Sequence, residues 1–338
     1  MFLRNFFENP VTQKKEIDTS SENQIKPESQ DLHKEEWAIE TAGGTTRVYE
    51  FVPVDPISKV PVFLAPGFGG TKDIYEESIL EFVRENRRRV ITVDHPRFGG
   101  QRIENNRSQS TSTELSRRAL NITEVLEELE RRGVPRVDAI THSEGTINLI
   151  EAASENPERF RNIILFAPAG LIDKTAQESF IKSITNLARN FVSDLFKSHT
   201  SESEEERRRG KTALQKGTIY VLQNIFRSIE EIVGIATTDL RENFEKIRNA
   251  SNLKKLNTKI IVAAPIDDVV FPFENMKETL QSLYKAKLLD GIITVTKGHS
   301  ALYQNGHFAC VGTLFATLEG RNPSNDNNGG DKEEKTAP

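Results

Sequence analysis

Six short apolar segments, alternating with helical patterns, constrain what this chain can fold into. They are VPVFLAP (60–66), RVITVD (89–94), RVDAITHS (136–143), NIILFAPAG (162–170), KIIVAAP (259–265) and GIITVT (291–296). Each is rich in β-branched residues and apolar at nearly every position. Both faces must therefore be covered, which is the condition of a central parallel strand rather than of a half-wetted antiparallel one. Between them, 113–132 places Leu115, Ala119, Ile122, Leu126 and Leu129 at steps of three and four, with Glu127–Arg131 and Glu128–Arg132 as i,i+4 pairs on the wet face. Gly133 and Pro135 then end the helix. Strands alternating with helices in this way imply an α/β fold with a mostly parallel, doubly wound sheet.

The rhythm defines boundaries. Residues 1–35 and 321–338 are rich in Glu, Lys, Ser, Asn and Gln and are expected to be disordered tails. The ordered core is expected over 36–170 and 257–320, opening with a hairpin in which WAIET runs through Gly43-Gly44 into RVYEFVPV. Residues 171–256 carry no strand signal. Two helical faces lie within them: 177–197, with Phe180, Ile181, Ile184, Leu187, Phe191, Leu195 and Phe196, and 218–236, with Ile219, Leu222, Ile225, Phe226, Ile229 and Val233. An insertion of this length beside a wound sheet reads as a helical lid over a pocket.

Composition excludes several classes of function. The single cysteine, Cys310, cannot form an internal disulfide or a multi-cysteine metal site. A net charge of −5 does not suit a protein that grips nucleic acid, and Arg87-Arg88-Arg89 and Arg207-Arg208-Arg209 are accounted for by a helix end and by preceding glutamates. No apolar run approaches the ~20 residues of a membrane span, and MFLRNFF lacks the features of a secretory signal. The expectation is a soluble, cytoplasmic protein acting on a small molecule.

Ligands of open parallel sheets bind at the carboxyl ends of strands, and five such ends carry reactive or loop-forming residues here. The segment 136–142 runs into Thr141-His142-Ser143-Glu144-Gly145 and then a helical stretch, as a serine on a sharp strand-to-helix turn would. Ala65-Pro66-Gly67-Phe68-Gly69-Gly70 follows the first central strand, and Asp94-His95-Pro96-Arg97-Phe98-Gly99 follows the next. Pro265-Ile266-Asp267-Asp268-Val269-Val270-Phe271-Pro272 follows 259–265, and Lys297-Gly298-His299-Ser300 follows the last strand.

Taken in this order, the motifs resemble those of the α/β-hydrolase superfamily over about residues 36–320, apart from the lid. Thr141 stands where the nucleophile elbow usually has its first glycine, Pro66 where the oxyanion loop often has histidine, and Arg97 where the Asp-Pro turn has glycine. The resemblance implies Ser143 as nucleophile, Asp268 as acid, His299 as base, and an oxyanion hole from the backbone N–H groups of Phe68 and Glu144. Asp267 and Asp173 remain alternatives for the acid, and His307 competes with His299. His95 reads as a surface or pocket-rim residue, and His142 as pointing away from Ser143.

The activity implied is that of a serine hydrolase cleaving a carboxylic ester through an acyl-enzyme, with no cofactor and no metal. The Phe-, Ile- and Leu-rich lid favours a substrate with an apolar group. Aminopeptidase or amidase chemistry, carbon–carbon bond hydrolysis on the same triad, and a non-catalytic binding relative are the alternatives.

Overall fold

The computed structural model describes residues 32–41, 44–95, 114–171, 189, 193, 204–223, 225–296, 298–304 and 307–320. Expectations for most of 1–35, 172–203 and 321–338, including the helix at 177–197, Asp173 and residues 96–99 of the Asp-Pro turn, lie outside them.

The described strands form one eight-stranded sheet. In chain order they are β1 (Leu32–Thr41), β2 (Gly44–Pro53), β3 (Val62–Ala65), β4 (Val90–Asp94), β5 (Val137–His142), β6 (Phe160–Phe166), β7 (Lys259–Pro265) and β8 (Gly291–Val295). Their spatial order is β1-β2-β4-β3-β5-β6-β7-β8. The β1–β2 and β2–β4 pairs are antiparallel, and every pair from β4–β3 to β7–β8 is parallel. All six apolar segments thus lie side by side in the parallel part, and residues of β3 and β5 are buried throughout. β1 begins at Leu32, ahead of the boundary expected at residue 36. Its pairing with β2 runs its whole length although His33 to Glu36 are exposed, so ladder hydrogen bonds hold this strand together with the packing of Leu32, Trp37 and Ile39 on the cores.

Helices cover both faces. α1 (Lys72–Asn86) and α9 (His307–Leu318) pack on one, where Ile79, Phe82 and Val83 meet Phe308, Val311 and Phe315. α2 (Glu114–Arg131), α3 (Gly145–Glu155), α6 (Arg241–Leu253) and α7 (Phe273–Lys285) serve the other, with Ile122, Leu126, Ile150, Phe244 and Leu280 in its core. The short α8 (Ala301–Gln304) follows β8. The chain leaves β3 toward β4 and, after β4, returns to β5 on the far side of β3. The carboxyl ends of β3 and β5 therefore border the crevice at which a wound sheet changes direction.

Between β6 and β7 lie α4 (Glu204–Gln223), α5 (Ile225–Thr237) and α6. The continuous helix expected over 218–236 is thus two helices. Arg118 explains why: its guanidinium bonds both Tyr220 of α4 and Glu231 of α5. In one straight helix these residues would be about 16 Å apart along the axis, too far for a single guanidinium to reach both. The apolar face expected there points outward, with Leu222 70%, Phe226 87% and Ile229 56% exposed. α4 is anchored by charge instead. Arg209 reaches Glu77, Glu81 and Ser78 of α1, and Lys216 reaches Asp73 at 2.6 Å. Among the described residues, no helix is long and apolar enough to cross a membrane.

The start of α3 is closed in by main chain. A Cβ on Gly145 would lie 2.4 Å from the carbonyl oxygen of Ala65 and 2.5 Å from that of Pro66. Rigid backbone on both sides leaves no room to yield. Gly145→Ala is expected to cost about 2 kcal/mol or more, read as a lowered midpoint in denaturant unfolding against wild type.

Candidate functional site

Ser143 follows β5 with φ +53°, in the left-handed region that a side-chain-bearing residue enters only when its surroundings impose it. The imposing contacts are specific. Its N–H donates to Phe166 O at 3.1 Å, and its carbonyl accepts from the N–H groups of Thr146 and Ala169 at 3.0 and 3.2 Å. Thr141 fits where a glycine was expected because its side chain is buried against Thr146, with their hydroxyls 2.8 Å apart. Glu144 caps α3 in helical geometry, so its N–H is one of the helix's first, which have no intrahelical acceptor.

The loop after β3 lies against this turn. A Cβ on Gly67 would sit 3.0 Å from both Ser143 Cβ and His142 O, so the loop's main chain passes beside the serine. Phe68 is next in that loop, and its ring meets Tyr220 edge-on, with centroids 5.6 Å apart.

His299 and Asp268 come together from separate strand ends. His299 Nδ1 lies 2.9 Å from Asp268 Oδ2, and both residues are buried. The other carboxylate oxygen, Oδ1, accepts the N–H groups of Val270 and Phe271, each at 2.8 Å, which fixes the carboxylate's orientation. Asp267 is exposed, and His307 opens α9 with its ring against Phe166. Of the competing residues that are described, Asp268 and His299 are therefore the pair brought together. Ser143 and His299 line one small cavity of about 30 Å³ with Phe68, Ile74, Tyr75 and Tyr303.

Three buried groups near the site were not legible as participants. His142 lines the cavity, between Tyr75 and His299. Its Nδ1 is 2.8 Å from the Tyr75 hydroxyl and its Nε2 is 2.9 Å from the His299 carbonyl oxygen. Arg118, 2% exposed, donates to Glu144 Oε1 at 2.8 Å, to the Tyr220 hydroxyl at 2.7 Å and to Glu231. Its signal was available: position 118 falls between Leu115 and Ile122, on the apolar stripe of α2, where a charge requires partners. His95, expected at a surface or rim, is 3% exposed. Burial, with the Arg118 charge, holds it well below the usual imidazole range, so it is neutral.

A scan against family models matches residues 60–219 to the alpha/beta hydrolase fold. The chain's fold is that of the α/β hydrolases. Solved structures agree in fold. A hydrolase from Pseudomonas aeruginosa is 16% identical with a TM-score of 0.57, over 84% of this chain and 98% of that one. A thermophilic esterase from Thermogutta terrifontis is 16% identical with a TM-score of 0.53, over 84% and 98%. An enol-lactonase from Burkholderia xenovorans is 13% identical with a TM-score of 0.56, over 83% and 99%. No curated protein matches the sequence.

Burial, with a smaller contribution from His299, holds His142 at about 3, against an ordinary value of 6.5. The folded state thus binds this proton less readily than the unfolded chain does. The associated stability is complete above pH 6.5 and is lost as pH falls toward 3, by up to about 1.4 kcal/mol per pH unit. Unfolding by urea at stepped pH is expected to show this loss in wild type, and a slope reduced by up to that amount in His142→Gln.

Proposed function

We propose that the protein is a serine hydrolase cleaving a carboxylic ester through a Ser143–His299–Asp268 triad. The observation that carries this reading is the His299–Asp268 hydrogen bond, placed on the same cavity as a serine held in left-handed backbone geometry. Ser143 Oγ attacks the ester carbonyl while His299 Nε2 accepts its proton. Asp268 holds the Nδ1–H, selects the tautomer and stabilises the imidazolium. Charge developing on the carbonyl oxygen is met by the N–H groups of Phe68 and Glu144, the latter helped by the positive end of α3. The tetrahedral intermediate collapses, His299 returns the proton to the leaving alcohol, and an acyl-enzyme remains. Water attacks it, with His299 again accepting and returning the proton, to release the acid and Ser143.

The same reading takes 36–170 and 257–320 as the core, and 171–256 as a lid in which α4 contributes Ala213 and Gly217 to the cavity wall. At about 30 Å³ the cavity among the described residues is small beside the roughly 300 Å³ or more of a ligand site, and α4 and Phe68 are the parts of its wall whose movement would enlarge it for a substrate. The rings and aliphatic groups of Phe68, Ile74, Tyr75, Ala213 and Tyr303 on the wall support a substrate with an apolar group.

A fluorophosphonate probe tests the nucleophile. Intact-mass spectrometry is expected to show a single adduct on wild type and none on Ser143→Ala; equal labelling of both would remove the reading. Asp268→Asn keeps an oxygen for Val270 and Phe271 but places an amide opposite His299 Nδ1, which imposes the wrong tautomer. Its labelling rate is expected to fall about 10³-fold or more, with an unfolding midpoint near wild type.

A further inference from the structure

His142 precedes the nucleophile and has no part in the chemistry above, yet its ring is buried at the meeting point of three loops. The partners of its two nitrogens settle its protonation by donor–acceptor logic. The His299 carbonyl oxygen can only accept, so His142 Nε2, at 2.9 Å, carries hydrogen and donates. The Tyr75 hydroxyl already accepts the Gly67 N–H at 3.1 Å, and its own hydrogen is free to donate to His142 Nδ1 at 2.8 Å. Each link then has one donor and one acceptor: Gly67 N–H to Tyr75 Oη, Tyr75 O–H to His142 Nδ1, and His142 Nε2–H to His299 O.

The chain links the loop after β8 to the ends of β3 and β5; these two pair directly, but β6 and β7 separate β8 from β5. Gly67 belongs to the loop that carries Phe68, His142 is covalently attached to Ser143, and His299 is the base. Ring packing reinforces the hydrogen bonds. The His142 ring lies 5.0 Å from that of His299 and 5.5 Å from that of Tyr303, and Phe271 meets His299 at 5.2 Å. The groups facing the His142 ring are thus Tyr75, Tyr303, Phe166 and His299, with no carboxylate among these four.

We propose that His142 is a positioning residue, which sets the base loop against the oxyanion loop by gripping the His299 carbonyl with Nε2–H while the Tyr75 hydroxyl, itself held by the Gly67 N–H, holds Nδ1. The inference rests on the triad reading for its effect on rate, but its hydrogen bonds stand apart from that reading. A reacting group displaced by about 1 Å loses roughly 10²-fold in rate, and loss of the Nε2–H donor frees the main chain of the base itself.

The amide of glutamine extends to the place of imidazole Nε2, whereas that of asparagine reaches only to the place of Nδ1. His142→Asn and His142→Gln therefore separate the donor from general packing. With p-nitrophenyl acetate and the fluorophosphonate probe, His142→Asn is expected to lose about 10²-fold in kcat with KM little changed. His142→Gln is expected to recover most of that loss, at unfolding midpoints that match. Equal loss in the two variants at matched stability would overturn the proposal. A second measurement does not depend on turnover. Nitrogen-15 imidazole spectra of the full chain should show His142 as the Nε2–H tautomer, without titration between about pH 5 and 9. They should also show a His299 Nδ1–H resonance displaced or broadened in His142→Asn but retained in His142→Gln. An Nδ1–H tautomer at His142, or a His299 resonance indifferent to both changes, would overturn the proposal even if no ester is cleaved. Absence of any adduct on wild type, with the tautomer and resonance as expected, would instead remove the hydrolase reading and leave the positioning contact standing.

Discussion

The close passage of the β3–α1 loop over the start of α3 is the constraint on which the site depends. Ser143 is held at positive φ by main-chain hydrogen bonds to Phe166, Thr146 and Ala169. That conformation carries a strain of order 1–3 kcal/mol, which persists only where neighbours over-determine it. The neighbours are β6, the first turn of α3 and, through Gly145, the carbonyls of Ala65 and Pro66. The same approach brings Gly67 against Ser143 Cβ. Backbone strain and the proposed oxyanion geometry thus have one origin: two strand ends forced together where the sheet changes direction.

Much of this was legible in the sequence because it rests on local rules. Strands buried on both faces must be apolar throughout, so the six central segments stood out, and their order with the helices between them implied the wound sheet. Gly145 was legible as the end of the Thr141–Gly145 motif at a sharp strand-to-helix turn. Asp268 and His299 came from the motif resemblance, with Asp267, Asp173 and His307 left open; the ends of the neighbouring strands β7 and β8 put these two side chains 2.9 Å apart.

What was hidden depends on long-range pairing. Tyr75 lies in a helix and His142 at a strand end, and neither shows from its own surroundings that a hydroxyl links one to the other. Arg118 did leave a trace, as a charge on the apolar stripe of α2, but its partners come from the elbow and from an insertion distant in sequence. The apolar residues of 218–236 misled for the complementary reason. Periodicity identifies a face but not which way it turns, and here ion pairs rather than that face dock the helices, leaving Phe226 and Leu222 in water.

That docking has an unusual electrostatic composition. Burial works against the charge on Arg118, but Glu144 and Glu231 outweigh it and hold the guanidinium well above its ordinary value. Burial pushes both carboxyls up, despite Arg118, with Glu231 at about 8. One buried positive charge does not balance two buried negative ones, so the two carboxyls favour keeping a proton between them, a property of the pair rather than of either residue. The Oε2 atoms of Glu144 and Glu231 have no hydrogen-bond partner among the described residues, which leaves a place for that proton on either. Breaking such a cluster by removing one partner costs about 3–5 kcal/mol, because the remaining charge stays buried. Glu144 also supplies a main-chain N–H beside Ser143, and Tyr220 packs on Phe68. The contacts that hold α4 and α5 to the core therefore bear on the residues flanking the serine, and the position of the insertion and the shape of the site are coupled through Arg118.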